Sequence, residues 1–379
     1  MKFARLILFC ALAALVVVGG AAAQDQQDLT FFLTFVPNIQ FAPLYVAIDN
    51  GYFAEVGINV TIEHGDEPLG VDLIASGQRQ FGMISGEQVI SARAQARPVV
   101  FVYEWFQAYP VGIAVPVDSG ITTVDGLRGH VVGIPGRFGA SYSGLTALLS
   151  ANGLTETDLQ LEEIGFNAPE AICTGRVEAA VVYSNNEPLQ IRNRAAAGDC
   201  GSVTDVVVIP VSDAADMVSN GIVTNADTIA NDPDLVSSVV GAFDQGLRDT
   251  INNPAAAYLI STTYVENLPM SDALITYLIT AADDQNAWLN DNPDATRADV
   301  AARRADLRAG LGEQFTADEL VQFDVLLASI EFWDADQLGM STLDSWQVTQ
   351  DILSSMGFLP EAIDLEAAFT NDFVPVPTE

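Results

Sequence analysis

Short runs rich in β-branched residues alternate with longer amphipathic segments through most of the chain, and this alternation restricts the fold more than any other feature. A repeated strand–helix pattern is satisfied by largely parallel sheets with helices packed on their faces. Residues 29–35, 58–63, 81–85 and 99–105 read as strands, with helices expected over 41–50, 70–76 and 88–96. A second unit opens near Ile121, with a helical turn at 124–127 and strands at 130–134, 159–164 and 179–183. Its helices are expected at 141–152, with Ser141 as cap, and at 169–174. Residues 203–210 then return toward the first unit, and mainly helical segments follow at 233–252, 254–265, 271–288 and 317–329. No internal repeat or low-complexity linker interrupts the pattern. Ligands of such α/β units gather in loops at the carboxyl ends of the strands.

The N-terminus carries Lys2 and Arg5, an apolar stretch from Leu6 to Val18, and Ala21-Ala22-Ala23 before polar Gln24-Asp25. The order matches a secretory signal cleaved near Ala23, and the apolar stretch is short for a membrane span. The expected export leaves about 355 residues, enough for two lobes of ordinary size. Cys10 falls within the apolar stretch without the small residues of a lipoprotein site, so two cysteines remain, Cys173 and Cys200. In an oxidising compartment they are candidates for one disulfide, with two buried thiols as the alternative. The formal net charge is −35, and the only lysine is Lys2. Such a polyanion repels phosphate backbones and anionic lipid, which argues against nucleic-acid and membrane-surface partners.

Several motifs resemble the NMT1/THI5-like (SsuA/THI5) family of solute-binding proteins. Phe35-Val36-Pro37-Asn38 precedes Phe41-Ala42-Pro43-Leu44-Tyr45, then Gly51-Tyr52-Phe53 and Gly57-Ile58. Leu73-Ile74-Ala75-Ser76-Gly77, Phe81-Gly82-Met83-Ile84-Ser85, Gly126-Leu127-Arg128-Gly129, Val132-Gly133-Ile134-Pro135-Gly136 and Gly175-Arg176-Val177-Glu178-Ala179 follow in the family's order. The resemblance implies a two-lobed, type II periplasmic-binding-protein-like α/β fold with extra C-terminal helices. Lobe 1 would be discontinuous, 24–113 and 211–379, and lobe 2 would be 114–210. Two connecting strands near 111–115 and 206–211 would form a hinge on which the lobes close. It also implies a monomer that serves the permease of an ABC importer for sulfonates, thiamine pyrimidine precursors or riboflavin.

A branch of the same family makes the thiamine pyrimidine itself, by a route that consumes pyridoxal phosphate on its own lysine and needs a histidine and iron-binding cysteines. A Schiff base needs a primary amine, and no lysine follows Lys2. His64 and His130 lie outside any matching motif, and no cysteine cluster is present. A serine-hydrolase elbow, a Walker loop, a zinc-binding His-Glu-x-x-His pair and an EF-hand loop are likewise missing. The expectation is a binding protein without catalytic residues, cofactor or metal. The synthase, a sulfonate binder and a sensory receptor domain stand as alternatives.

The candidate ligand contacts lie at the ends of strands. Asn38 and Gln40 can donate to and accept from a heterocycle's edge, and Ser85 and Glu87 can accept ring N–H groups. Trp105 and Tyr109 belong to an aromatic cluster suited to stacking on a flat ring. Arg137, Phe138 and Ser141 run into a helix N-terminus, which favours polar or anionic groups. Tyr183, Asn186 and Glu187 end a strand where the family's pyrimidine binders carry an aromatic-Asn-Glu segment. Stacking area together with acidic acceptors favours an aromatic N-heterocycle over a sulfonate, which the glutamates would repel.

Overall fold

The computed structural model describes residues 26–376 apart from 216 and 267; the expected signal segment lies outside the described residues. Ten strands form two five-stranded sheets. They are β1 Gln27–Thr34, β2 Ile58–Gly65, β3 Phe81–Ser85, β4 Val99–Glu104, β5 Val111–Pro116, β6 Val131–Ile134, β7 Gln160–Glu163, β8 Ala179–Tyr183, β9 Val206–Pro210 and β10 Asn220–Asn225. The first sheet has the order β2-β1-β3-β10-β4 and the second β7-β6-β8-β5-β9. The chain crosses between them after β4 and again after β9.

Both sheets are mixed rather than largely parallel. β1 pairs in parallel with β2 and β3, whereas β10 runs antiparallel to β3 and β4. In the second sheet β6 pairs in parallel with β7 and β8, and β5 runs antiparallel to β8 and β9. Every residue of β3, β4 and β10 is buried, as expected of strands covered on both faces.

Helices supply that cover. On one face of the first sheet, Ala42–Asp49, Pro233–Asn252, Pro254–Ser261 and Ala317–Trp333 build the largest core, with Phe31, Tyr45, Phe243 and Trp333 fully buried. Its other face carries Glu67–Ala75, Gly86–Ala94 and Leu343–Ser355, where Trp346 stacks on Phe369 at 5.0 Å. Gly139–Ala151 covers one face of the second sheet, and Ala168–Cys173 and Glu187–Ala197 cover the other. Cys173 and Cys200 are bonded, joining the end of the Ala168–Cys173 helix to the turn after Glu187–Ala197. The helix expected at 141–152 starts earlier, at Gly139, with Phe138 at its N-cap and no side-chain cap, so Ser141 is not the capping residue.

Candidate functional site

The carboxyl ends of β1, β4, β6 and β8, together with the amino end of the antiparallel β10, face a single cleft. In it lies a cavity of about 800 Å³, a volume that includes its open mouth. Thr34, Phe35, Gln40, Phe41, Glu67, Met83, Trp105, Phe106 and Asn220 line it from the first half. The second half contributes Pro135, Phe138–Ser141, Phe166, Val181–Tyr183 and Glu187. No arginine, lysine or histidine is among the lining residues.

Local chain chemistry sets these positions. After β1, Asn38 caps a short helical turn by accepting from the Gln40 N–H at 3.0 Å, which turns Gln40 and Phe41 into the cleft. After β2, Asp66 caps the Glu67–Ala75 helix by accepting from the Leu69 N–H at 3.0 Å, and Pro68 sits in the first turn, where no N–H is needed. Glu67 is then free to reach Ser85, whose N–H and hydroxyl donate to its carboxylate at 2.6 and 2.5 Å. Glu67 also lies against the first turn of the Gly139–Ala151 helix of the other half, where the Ala140 N–H helps to lower its pKa.

Burial raises the Glu67 pKa, and the hydrogen bonds from Ser85 and Ala140 hold part of that rise back. Glu87 lies directly behind it, 0 % exposed, with neither oxygen in a hydrogen bond of good geometry. Burial pushes its pKa well up, and the neighbouring Glu67 charge pushes it further. Both effects favour the protonated form of Glu87.

β4 leads into the aromatic wall. The N–H groups of Trp105 and Phe106 both donate to the Asn220 carbonyl, at 3.1 and 3.0 Å. Trp105 packs on Phe106 at 4.7 Å, Trp333 at 5.4 Å and Phe41 at 5.7 Å. Its indole N–H has no acceptor. Opposite, β8 ends at Tyr183, whose ring meets Phe106 edge-on at 6.1 Å. Glu187 opens the following helix and accepts from the Tyr183 N–H at 2.9 Å, and burial pushes its pKa up to about 7.

The halves touch across the cleft. The Tyr183 hydroxyl donates to the Asn220 side chain at 2.8 Å, Asn186 donates to Gln40 at 3.3 Å, and Phe35 meets Phe166 edge-on at 4.8 Å. These three contacts join the two halves across the cleft.

Of the residues singled out from sequence, Gln40, Trp105, Phe138, Ser141, Tyr183 and Glu187 line the cavity. Asn38, Ser85 and Asn186 stand directly behind lining residues as caps and hydrogen-bond partners, and Glu87 is buried beside Glu67. Tyr109 is buried and donates to the Ala140 carbonyl at 2.9 Å, which fixes the start of the Gly139–Ala151 helix. Arg137 points away: its side chain is 43 % exposed and pairs with Glu163 at 2.6 Å and Glu156 at 3.5 Å. Among the described residues no group of three His, Cys, Asp or Glu side chains is placed to hold a metal ion.

Sequence reading missed Glu67, Phe41, Phe166 and Asn220. The signal for Glu67 was present: Glu67-Pro68-Leu69 repeats as Glu187-Pro188-Leu189, each opening a helix after a strand. Nothing local marks Asn220, which reaches the cleft only because β10 lies between β3 and β4.

Comparisons with known proteins agree with this geometry. The chain is 31% identical over 357 residues to riboflavin-binding protein RibY of Chloroflexus aurantiacus, covering 92% of this chain and 86% of that protein. It is 25% identical over 249 residues to a 4-amino-5-hydroxymethyl-2-methylpyrimidine phosphate synthase of Aspergillus parasiticus, covering 64% and 71%. The solved alkanesulfonate-binding protein SsuA from Xanthomonas axonopodis pv. citri, bound to MOPS, superposes with a TM-score of 0.58 at 12% identity, covering 90% and 98%. That likeness shows the fold, the two-lobed periplasmic-binding-protein-like arrangement expected from sequence. With the profile described as NMT1/THI5 like matching residues 38–257, the chain belongs to the NMT1/THI5-like family.

Proposed function

We propose that this chain is the exported solute-binding protein of an ABC importer, and that it captures riboflavin by closing its two halves around the ring system. The observation that carries the reading is the cavity wall: Phe41, Trp105, Phe106, Phe138, Phe166 and Tyr183 surround a space whose lining has hydrogen-bonding groups but no cation. Flat aromatic ligands gain from such faces, whereas a sulfonate or phosphate needs donors or positive charge. Gln40 and Asn220 offer amides to a ring edge, and Glu187 accepts N–H groups. The similarity to a riboflavin-binding protein over nearly the whole chain supports the same choice. Reading the chain as a synthase lacks support from its own residues, because the Schiff-base route needs a lysine and the described residues contain none.

A ligand bound only by the folded state raises the melting temperature by mass action. Riboflavin is expected to raise it in a dose-dependent way and to lose fluorescence on binding; alkanesulfonates are expected to do nothing. Stabilisation by a sulfonate with no response to riboflavin overturns the assignment. The partner is the importer's permease, and a pull-down of the permease by ligand-loaded protein tests that part.

A further inference from the structure

We propose that Glu67 is a built-in anion that fills the cleft's anion-binding position, and so makes the site select unphosphorylated heterocycles over their phosphate esters. The inference deepens the reading above and rests on it for the ligand's ring. The first turn of the 13-residue Gly139–Ala151 helix opens into the cavity, with Gly139, Ala140 and Ser141 among the lining residues. Free N–H groups at a helix start attract anions, and a ligand's phosphate would otherwise settle there. Here a Glu67 oxygen already lies against Gly139 at that helix start, and the Ala140 N–H helps to lower the Glu67 pKa. The fit is close enough to dictate sequence. Gly139 has φ +66°, and a Cβ built on it would lie 2.3 Å from a Glu67 oxygen.

Burial favours protonating Glu67, and the donors around it oppose that and hold the carboxylate in place. Ser85 gives it both an N–H and a hydroxyl proton. The Ser85 hydroxyl has one proton to give, so toward Glu87 it can only accept, which matches a protonated Glu87 behind it. A second anion brought to the Gly139–Ala151 helix start would meet the Glu67 charge at contact distance, with no cation among the lining residues to offset it. At close range in a site shielded from water, like charges repel strongly. A neutral ring with N–H groups meets no such barrier. Glu67 thus sets specificity without belonging to the aromatic wall that supplies affinity.

The test compares the full chain with Glu67→Gln, which keeps shape and removes charge, and Glu67→Ala, which vacates the helix start. Riboflavin and its 5′-phosphate serve as paired probes, read by flavin fluorescence. The wild type is expected to prefer riboflavin by about 100-fold or more, and Glu67→Gln to shrink that preference by about tenfold or more. Sulfate supplies an arm independent of flavins: against chloride at matched ionic strength it is expected to raise the melting temperature of Glu67→Ala by several degrees and to leave the wild type unchanged. An unaltered flavin preference in Glu67→Gln overturns the proposal, as does an equal sulfate response in wild type and Glu67→Ala. If Glu67→Ala does not fold, Glu67→Gln decides alone through the flavin preference. A wild type that binds neither flavin, beside a sulfate-responsive Glu67→Ala, upholds the role of Glu67 and overturns the riboflavin assignment instead.

Discussion

Glu67-Pro68-Leu69 and Glu187-Pro188-Leu189 open helices on opposite sides of the cleft, and both carboxylates line the same cavity. Their local geometry is alike, with Glu first and Pro second in the helix. Their reach differs. Glu187 bonds back to the end of its own strand, at the Tyr183 N–H, and so stiffens one half. Glu67 accepts from Ser85 in its own half and lies against Gly139, at a helix start, in the other. One tripeptide therefore yields a local cap in one place and a strut between halves in the other, according to what its carboxylate can touch. The halves differ in cross-linking too: Cys173–Cys200 ties the second half, and the described residues of the first half contain no cysteine.

The contrast can be broken at four points, in decreasing order of effect. Replacing Cys173 and Cys200 with alanine removes a cross-link spanning 27 residues and is expected to cost about 3 kcal/mol, read in urea melts. Hydrogen exchange should show the added opening in β5–β9, with β1–β4 little changed. Gly139→Ala is expected to cost about 2 kcal/mol through its positive φ and the Glu67 oxygen beside it. Part of that loss should vanish in a Glu67→Ala background, and equal costs in both backgrounds would show that the strut is not what Gly139 accommodates.

The third point is proton linkage at Glu187. Its folded pKa is about 7 against an ordinary 4.5, so the folded protein holds the extra proton. Its share of stability is full below 4.5 and is lost as pH rises toward 7, the opposite of a salt-bridged carboxylate. Glu187→Gln is expected to flatten that fall across the window, measured by urea melts at several pH values. The smallest effect is expected at Asn38→Ala, about 0.5 kcal/mol for a lost cap. It should still weaken riboflavin binding several-fold by calorimetry, because Gln40 and Phe41 are aimed by that turn.

Most elements were legible because burial on both faces writes itself into the sequence as short, largely apolar runs, as in β3 and β4. β10 was not. Asn220–Asn225 is brief, lies among segments that read as helical, and owes its strand identity to partners about 135 residues away. The cavity was legible where a motif ended a strand, as at Tyr183 and Glu187. Arg137 illustrates the limit. A cation at a helix start suggests an anion's partner, yet Glu163 and Glu156 on the surface already hold it. Asn38 shows another limit, since a side chain that caps its own turn cannot also be a free ligand contact.

The placement of β10 has a consequence for how the chain survives its own synthesis. Residues 111–210 contain all five strands of the second sheet, so that half can assemble from one continuous stretch. The first four strands of the other sheet are made early, but β3 and β4 have no direct partner in each other. Until Asn220–Asn225 arrives to lie between them, both expose a hydrophobic edge that invites pairing with strangers. The first part to be made is thus the last to be sealed. A holding chaperone would protect β1 to β4 more than any other part of the chain.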